Sequence, residues 1–186
     1  MTYDTLRSFR NRAYQYLCRA HDATFELMDA AMTSRSVYSF AELTQSPLFR
    51  RRWSSGYEAL QDSRPQRRQL MRLSLEHLDV PEPNPLLLAG DHTPWRRSDA
   101  KRLPERTYEH QANGDGFGRA VTVGQGYSTL AWLPPDANSW ALPLRHERIT
   151  SWESPISKAV WQLQQVCGEL PTRPLSLWDS EYGCAS

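Results

Sequence analysis

Two short apolar runs that each close on an aspartate constrain this chain more than any other feature. Residues 85–91 read PLLLAGD and residues 173–179 read RPLSLWD. A short apolar run bounded by proline or glycine predicts a buried strand. In open α/β sheets, chemistry collects just outside the carboxyl ends of the strands. Asp91 and Asp179 are expected at such ends. A single strand-end aspartate is more often a turn or cap residue, so what matters is whether the two can meet.

The segment between them sets that possibility. Residues 117–124 and 127–133 predict two strands, and Gly124-Gln125-Gly126 between them predicts a hairpin turn. A polar connection fills the stretch from Asp91 to about residue 115. Residues 139–145 predict a further strand, confined to a sheet edge by Pro143. Ser154 and Pro155 predict a helix start, as N-cap and first helical residue. That helix is expected to run to about Leu170, with Ile156, Val160, Leu163, Val166 and Cys167 inward. If the strands carrying Asp91 and Asp179 lie side by side and parallel, the helix crosses one face and the carboxylates meet. Adjacent carboxylates repel unless a cation lies between them. Hard oxygen donors, completed by water and phosphate, suit Mg²⁺, and such a pair suits two-metal phosphoryl transfer.

The first eighty residues read differently. Leu6, Phe9, Ala13, Leu17, Ala20, Leu27 and Ala31 recur at mostly three- and four-residue steps, predicting one long amphipathic helix over residues 4–33. Ser39 and Glu42 have capping-box spacing for a short helix that ends near Pro47. Helices are expected over residues 54–62 and 66–78, the second with Leu70, Leu73 and Leu78 inward. The proline-rich stretch at residues 80–85 ends the helical part. The expected organisation is α+β: a helical region at 1–80, then a mixed sheet with a crossover helix at 81–186.

Charge follows the same division. Residues 1–80 hold 12 arginines against 9 acidic residues, while residues 81–186 hold 10 basic against 12 acidic. Of the 22 basic residues, 20 are arginine. Arginine forks suit phosphate, carboxylate partners and open surface alike. Arg50, Arg51 and Arg52, flanked by Phe49 and Trp53, have the composition of a backbone-contacting, base-stacking patch. Arg67, Arg68 and Arg72 mark the outer face of the last helix. An inward-packed turn and solvated helix faces explain the same residues without nucleic acid.

Several function classes drop out. Cys18, Cys167 and Cys184 lie far apart, without zinc-ligand spacing and odd in number, so free thiols in a reducing compartment are expected. Asp4, Arg7 and Arg10 break any N-terminal leader pattern, and no apolar stretch is long enough to span a bilayer. A cytoplasmic location, with no membrane partner, is the expectation. Residues 113–118 (NGDGFG) imitate a dinucleotide fingerprint but precede a strand instead of following one. His21, His77, His92, His110 and His146 show no metal-ligand spacing. Neither a Gly-x-Ser-x-Gly elbow nor a phosphate-binding loop is present.

The residues also resemble a family. The order of elements is similar to the ribonuclease-H-like fold, and the local sequences resemble DDE transposases of bacterial insertion sequences. The pieces that carry this are LAGDHTPW (88–95), RTYEH (106–110), VGQGYST (123–129) with Ala131 and Trp132, WALPLRHERIT (140–150) and LWDSEYG (177–183). RAHDATFEL (19–27) and SPLFRRRW (46–53) resemble the group's helical region. The resemblance covers nearly the whole chain. It implies Asp91 and Asp179 as catalytic metal-binding aspartates holding Mg²⁺, with Mn²⁺ as substitute, for DNA cleavage and strand transfer. It implies double-stranded DNA as partner, at transposon ends and target, a homo-oligomer, and a nucleoid-associated location. Arg50, Arg51, Arg52, Arg67, Arg68 and Trp95 would contact DNA, Trp95 by stacking on a displaced base. His92 and Thr93 would support the ligands or face DNA.

One departure stands out. The family's site takes a third carboxylate from a helix after the second aspartate, and only seven residues follow Asp179. Glu181 is too near and Glu169 lies at the far end of the crossover helix. An incomplete ribonuclease-H-like sheet, lacking its last strand and helix, and a truncated transposase with impaired strand transfer are therefore expected. A non-catalytic DNA-binding or assembly module that modulates a full-length transposase is the alternative, and a poorly folding remnant a third.

Overall fold

The computed structural model describes residues 2–78, 85–110, 121–135, 140–179 and 182. Two compact units emerge, Met1–Glu76 and His77–Ser186. Residues 113–118, Glu181, Cys184 and most of the proline-rich linker lie outside the described residues.

The first unit is helical: α1 (Tyr3–Tyr16), α2 (His21–Thr33), α3 (Phe40–Leu43), α4 (Trp53–Asp62) and α5 (Arg67–Leu75). The single long helix expected over residues 4–33 is two. Cys18 and Ala20 adopt left-handed backbone angles, φ 58° and 52°, at a cost of about 1–2 kcal/mol per residue. Contacts made by the turn offset that cost. Arg10 on α1 grips Asp29 on α2 through two hydrogen bonds of 2.8 and 2.9 Å and lies over the Phe25 ring. Tyr14 meets His21 edge-on. Ala23, Leu27, Phe49 and Ala59 form the unit's buried cluster, with Phe40 and Leu43 against it.

The second unit is a five-stranded mixed sheet with α6 (Pro155–Cys167): β1 (Leu87–Arg96), β2 (Thr107–His110), β3 (Val121–Leu133), β4 (Leu142–Ile149) and β5 (Leu175–Trp178). β3 lies antiparallel to β1, β2 and β4, while β5 lies parallel to β1. This is an α+β arrangement of the ribonuclease-H-like type, with its helices first and a helix between the last two strands.

Three expectations are corrected. β1 does not stop at Asp91; it runs five residues further, and β2 occupies part of the expected polar connection. Gly124-Gln125-Gly126 is no hairpin turn, because β3 passes straight through it, paired with Arg96, Trp95 and Pro94. The glycines serve close approach. A Cβ on Gly124 would sit 2.2 Å from the Trp95 carbonyl oxygen, and one on Gly126 2.7 Å from His92 Nε2. Residues 117–120 lie outside the described residues. Finally, α6 opens on Ser154 with a capping box closed by Ser157 but ends at Cys167, and it buries Lys158, Ala159, Gln162 and Val166, whereas Val160 and Cys167 are exposed.

Polar chemistry on the sheet explains that rotation. Gln162 is fully buried; its Nε2 donates to the Ser128 carbonyl at 2.9 Å and its Oε1 accepts from the Ser128 hydroxyl at 2.7 Å. Lys158 pairs with Glu153 at 2.6 Å. Arg145, paired with Glu147, lies under the Trp161 ring. These bonds pin α6 to the β3–β4 side of one sheet face. Leu175 and Leu177 of β5 remain 56% and 54% exposed on the opposite face.

Candidate active site

Strand register decides whether the two aspartates meet. β1 and β5 pair in parallel from Leu87↔Leu175 to Gly90↔Trp178. Asp91 continues β1 past the last pair and Asp179 follows the end of β5, so the two come one residue after the paired Gly90 and Trp178. Gly90 makes this register possible. Its missing side chain leaves room for the Trp178 indole, whose ring carbons would lie 1.9–2.4 Å from a Cβ there. Asp91 is exposed. Its one side-chain bond among the described residues is a long 3.4 Å contact from the Thr93 hydroxyl. Asp179, one residue past β5, lines a cleft on the α6 side with Ile156, Ala159, Val160 and Leu163 of α6 and with Ser176 and Trp178, whereas Asp91 lies on the opposite face, across from Thr129.

The register also brings in residues that the sequence did not single out. Directly opposite residues share a sheet face. Asp91 faces Thr129 on β3, and Thr129 faces His146 on β4. The Thr129 hydroxyl and His146 Nδ1 are 2.8 Å apart. The His146 ring stacks on Tyr127, at 5.2 Å between centroids and 3° between planes, and Tyr127 meets Trp95 edge-on at 6.4 Å. A row of Asp91, Thr129 and His146 thus crosses the open face, with the aromatic pair beside it. No local motif announces such a row, because its members are 17 or more residues apart and only strand pairing joins them.

The remaining candidates are placed as follows. Trp95, 44% exposed, carries the Arg97 guanidinium over its ring at 4.9 Å. Thr93 flanks Asp91 on the open face. His92 points to the other face, where its Nε2 lies 3.1 Å from the buried carboxylate of Glu109, so it packs β1 onto β2. In the helical unit, Arg50 bonds Glu26 through its backbone N–H at 3.0 Å and its guanidinium at 3.4 Å. Arg51 pairs with Asp22 at 3.1 Å and Glu26 at 3.4 Å. A hydrogen bond from Tyr14, then the charges of His21 and Arg51 and a bond from Arg51, hold the Asp22 carboxyl below its ordinary range despite partial desolvation. Arg52, Arg67 and Arg68 are exposed. Phe49 is buried and Trp53 exposed.

Hard oxygen donors at Asp91 and Asp179 fit a magnesium ion, which commonly takes one or two carboxylates and completes its shell with water and phosphate. Among the described residues no cluster of three or more His, Cys, Asp or Glu residues has metal-binding geometry. Nor is any described helix long and apolar enough to cross a membrane.

A family model described as DDE superfamily endonuclease matches residues 13–186. No curated protein and no solved structure matches the chain.

Proposed function

The chain belongs to the DDE superfamily endonucleases, and on that premise we propose that it is a transposase of a bacterial insertion sequence, with Asp91 and Asp179 as two of its metal-binding carboxylates. Enzymes of this superfamily act on DNA and generally use divalent metals. One observation carries the reading: the two aspartates follow Gly90 and Trp178, the last paired residues of neighbouring parallel strands. With Asp179 turned toward the Asp91 face from the end of β5, two aspartates at this point of the sheet would reach a single cation. Bound there, Mg²⁺ supplies charge neutralisation at the phosphate and activation of the attacking oxygen. The protein's own part is to hold both carboxylates on a rigid sheet and to leave the face beside Asp91 open to a DNA strand.

In this reading the helical residues 1–80 hold DNA and residues 81–186 carry the chemistry. Arg50 and Arg51 already serve Glu26 and Asp22, so Arg52 and Arg67 are the arginines best placed for phosphate, with the exposed Arg68 beside Arg67 on α5. Each arginine that neutralises a phosphate adds about 0.9 to the salt dependence of binding.

A second reading has one observation in its favour. Two carboxylates without a third ligand cluster among the described residues suit a chain that binds DNA and modulates a transposase without cutting. A single experiment separates the two. Purified protein is incubated with DNA carrying transposon ends, in Mg²⁺ or Mn²⁺. Nicking that disappears in both Asp91→Ala and Asp179→Ala supports the enzyme. Salt-dependent binding of duplex DNA with no cleavage supports the modulator.

A further inference from the structure

We propose that His146 is a DNA-contacting residue, donating a hydrogen bond from Nε2 to a phosphate next to the one held at Asp91. The inference rests on the DNA-endonuclease reading above and adds a residue and a chemistry to it. Four observations converge. First, Asp91, Thr129 and His146 are successive cross-strand partners, so all three face the same open side of the sheet. Second, the His146 ring is oriented twice, by the 2.8 Å contact of Nδ1 with the Thr129 hydroxyl and by stacking on Tyr127. Third, His146 is exposed, and Nε2 has no partner among the described residues. The ring is held by Thr129 and Tyr127 on one side, and its Nε2 edge is uncovered among the described residues.

The fourth observation is distance. Two strand spacings separate His146 from Asp91, about 10 Å between backbones. That spacing suits a neighbouring phosphate on the same DNA strand, where charges advance about 3.4 Å along the axis per nucleotide. The Thr129 hydroxyl can serve Nδ1 in either role; when it donates to Nδ1, the proton lies on Nε2, which then donates to an oxyanion. A protonated ring keeps the same Nε2–H, with Thr129 as acceptor. Thr129 and Tyr127 are therefore positioning residues, and His146 is the one that touches DNA.

The test uses the full chain and two probes: a fluorescein-labelled duplex of arbitrary sequence in Ca²⁺ for binding, and end-containing DNA in Mg²⁺ for nicking. His146→Ala is expected to weaken duplex binding about tenfold, the loss for one hydrogen bond to a charged partner, with an unchanged melting temperature because the ring is exposed. His146→Gln, which keeps an N–H donor, is expected to recover most of the affinity, and Thr129→Val to fall between. Asp91→Asn serves as the control for the metal reading: it should abolish nicking. If His146→Ala binds and nicks as the wild type while Asp91→Asn is dead, His146 has no DNA role and the metal reading stands. If Asp91→Asn nicks normally, the metal reading fails and His146 is judged on binding alone. A tenfold loss in His146→Ala that His146→Gln does not restore also overturns the donor assignment. A wild-type chain that binds no duplex overturns both.

Discussion

Substituting Gly90 by alanine perturbs the contact that sets the two aspartates side by side. The new Cβ would lie 1.9 Å from one carbon of the Trp178 indole and 2.3 and 2.4 Å from two others. Carbon atoms rest at about 3.5–4.0 Å, so the indole must retreat by about 1.5–2 Å. Overpacking of this kind costs about 1–3 kcal/mol. The strain has an easy outlet, because β5 is a four-residue edge strand whose leucines are half exposed. It is expected to relieve the clash by shifting away from β1, taking Asp179 with it. Metal sites tolerate ligand displacements of only about 0.2 Å, so the carboxylate pair should be lost before the fold is. Two assays follow the change. Thermal melting should drop by about 4–8 °C per kcal/mol for a unit of this size, and amide exchange in β5 should rise more than in β3. The double variant Gly90→Ala with Trp178→Ala removes the clash and should show favourable coupling in a double-mutant cycle. A Gly90→Ala protein with wild-type melting and unchanged β5 exchange would refute the steric account of this register.

Gln162→Leu keeps volume but strips the Ser128 hydroxyl of its partner and removes the side-chain bond to the Ser128 carbonyl. It should cost about 2–4 kcal/mol in urea unfolding, since each stranded buried group costs about 1–3 kcal/mol, and a change under 1 kcal/mol would show that the Ser128 bonds do not hold α6. Burial raises the Glu153 carboxyl, but bonds from Lys158 and from the N–H and hydroxyl of Thr150 outweigh it and hold the group below its ordinary range. A depressed carboxylate contributes stability that is complete above the unfolded value, about 4.3, and lost as pH falls through the lower folded value. Glu153→Gln should therefore destabilise at neutral pH and flatten the acid limb of the stability curve below about pH 4.3; an acid limb identical to wild type would sink this assignment.

How much of this could be read from the sequence depends on how local each signal was. The strand before Asp91, the strand before Asp179 and the Ser154–Pro155 helix start were legible because each is written in adjacent residues. The break between α1 and α2 was not, since Cys18 and Ala20 take left-handed angles that glycine or asparagine would have announced. Gly124 and Gly126 announced a turn and delivered close strand approach instead; glycine signals a missing side chain, and only the partner strand shows which use is made of it. The buried face of α6 was misjudged because apolar periodicity ignores polar partners, and here Ser128 and Glu153 draw Gln162 and Lys158 inward. The row of Asp91, Thr129 and His146 was illegible because it exists only in the register between strands. The apolar runs that close on Asp91 and Asp179 singled out those residues in the sequence, and neither the runs nor the family resemblance offered a role for His146.

Manganese binding to the chain in the absence of DNA tests the central claim most directly. The wild type, Asp91→Asn, Asp179→Asn and the double variant are titrated with Mn²⁺ and followed by the paramagnetic resonance of the free ion. If the aspartates that follow Gly90 and Trp178 share an ion, each single variant should lose at least tenfold in affinity. The double variant should then be little worse than either single one, because removing one ligand already dismantles the site. Single variants that bind Mn²⁺ as tightly as the wild type, or losses that simply add, would contradict a shared site at Asp91 and Asp179.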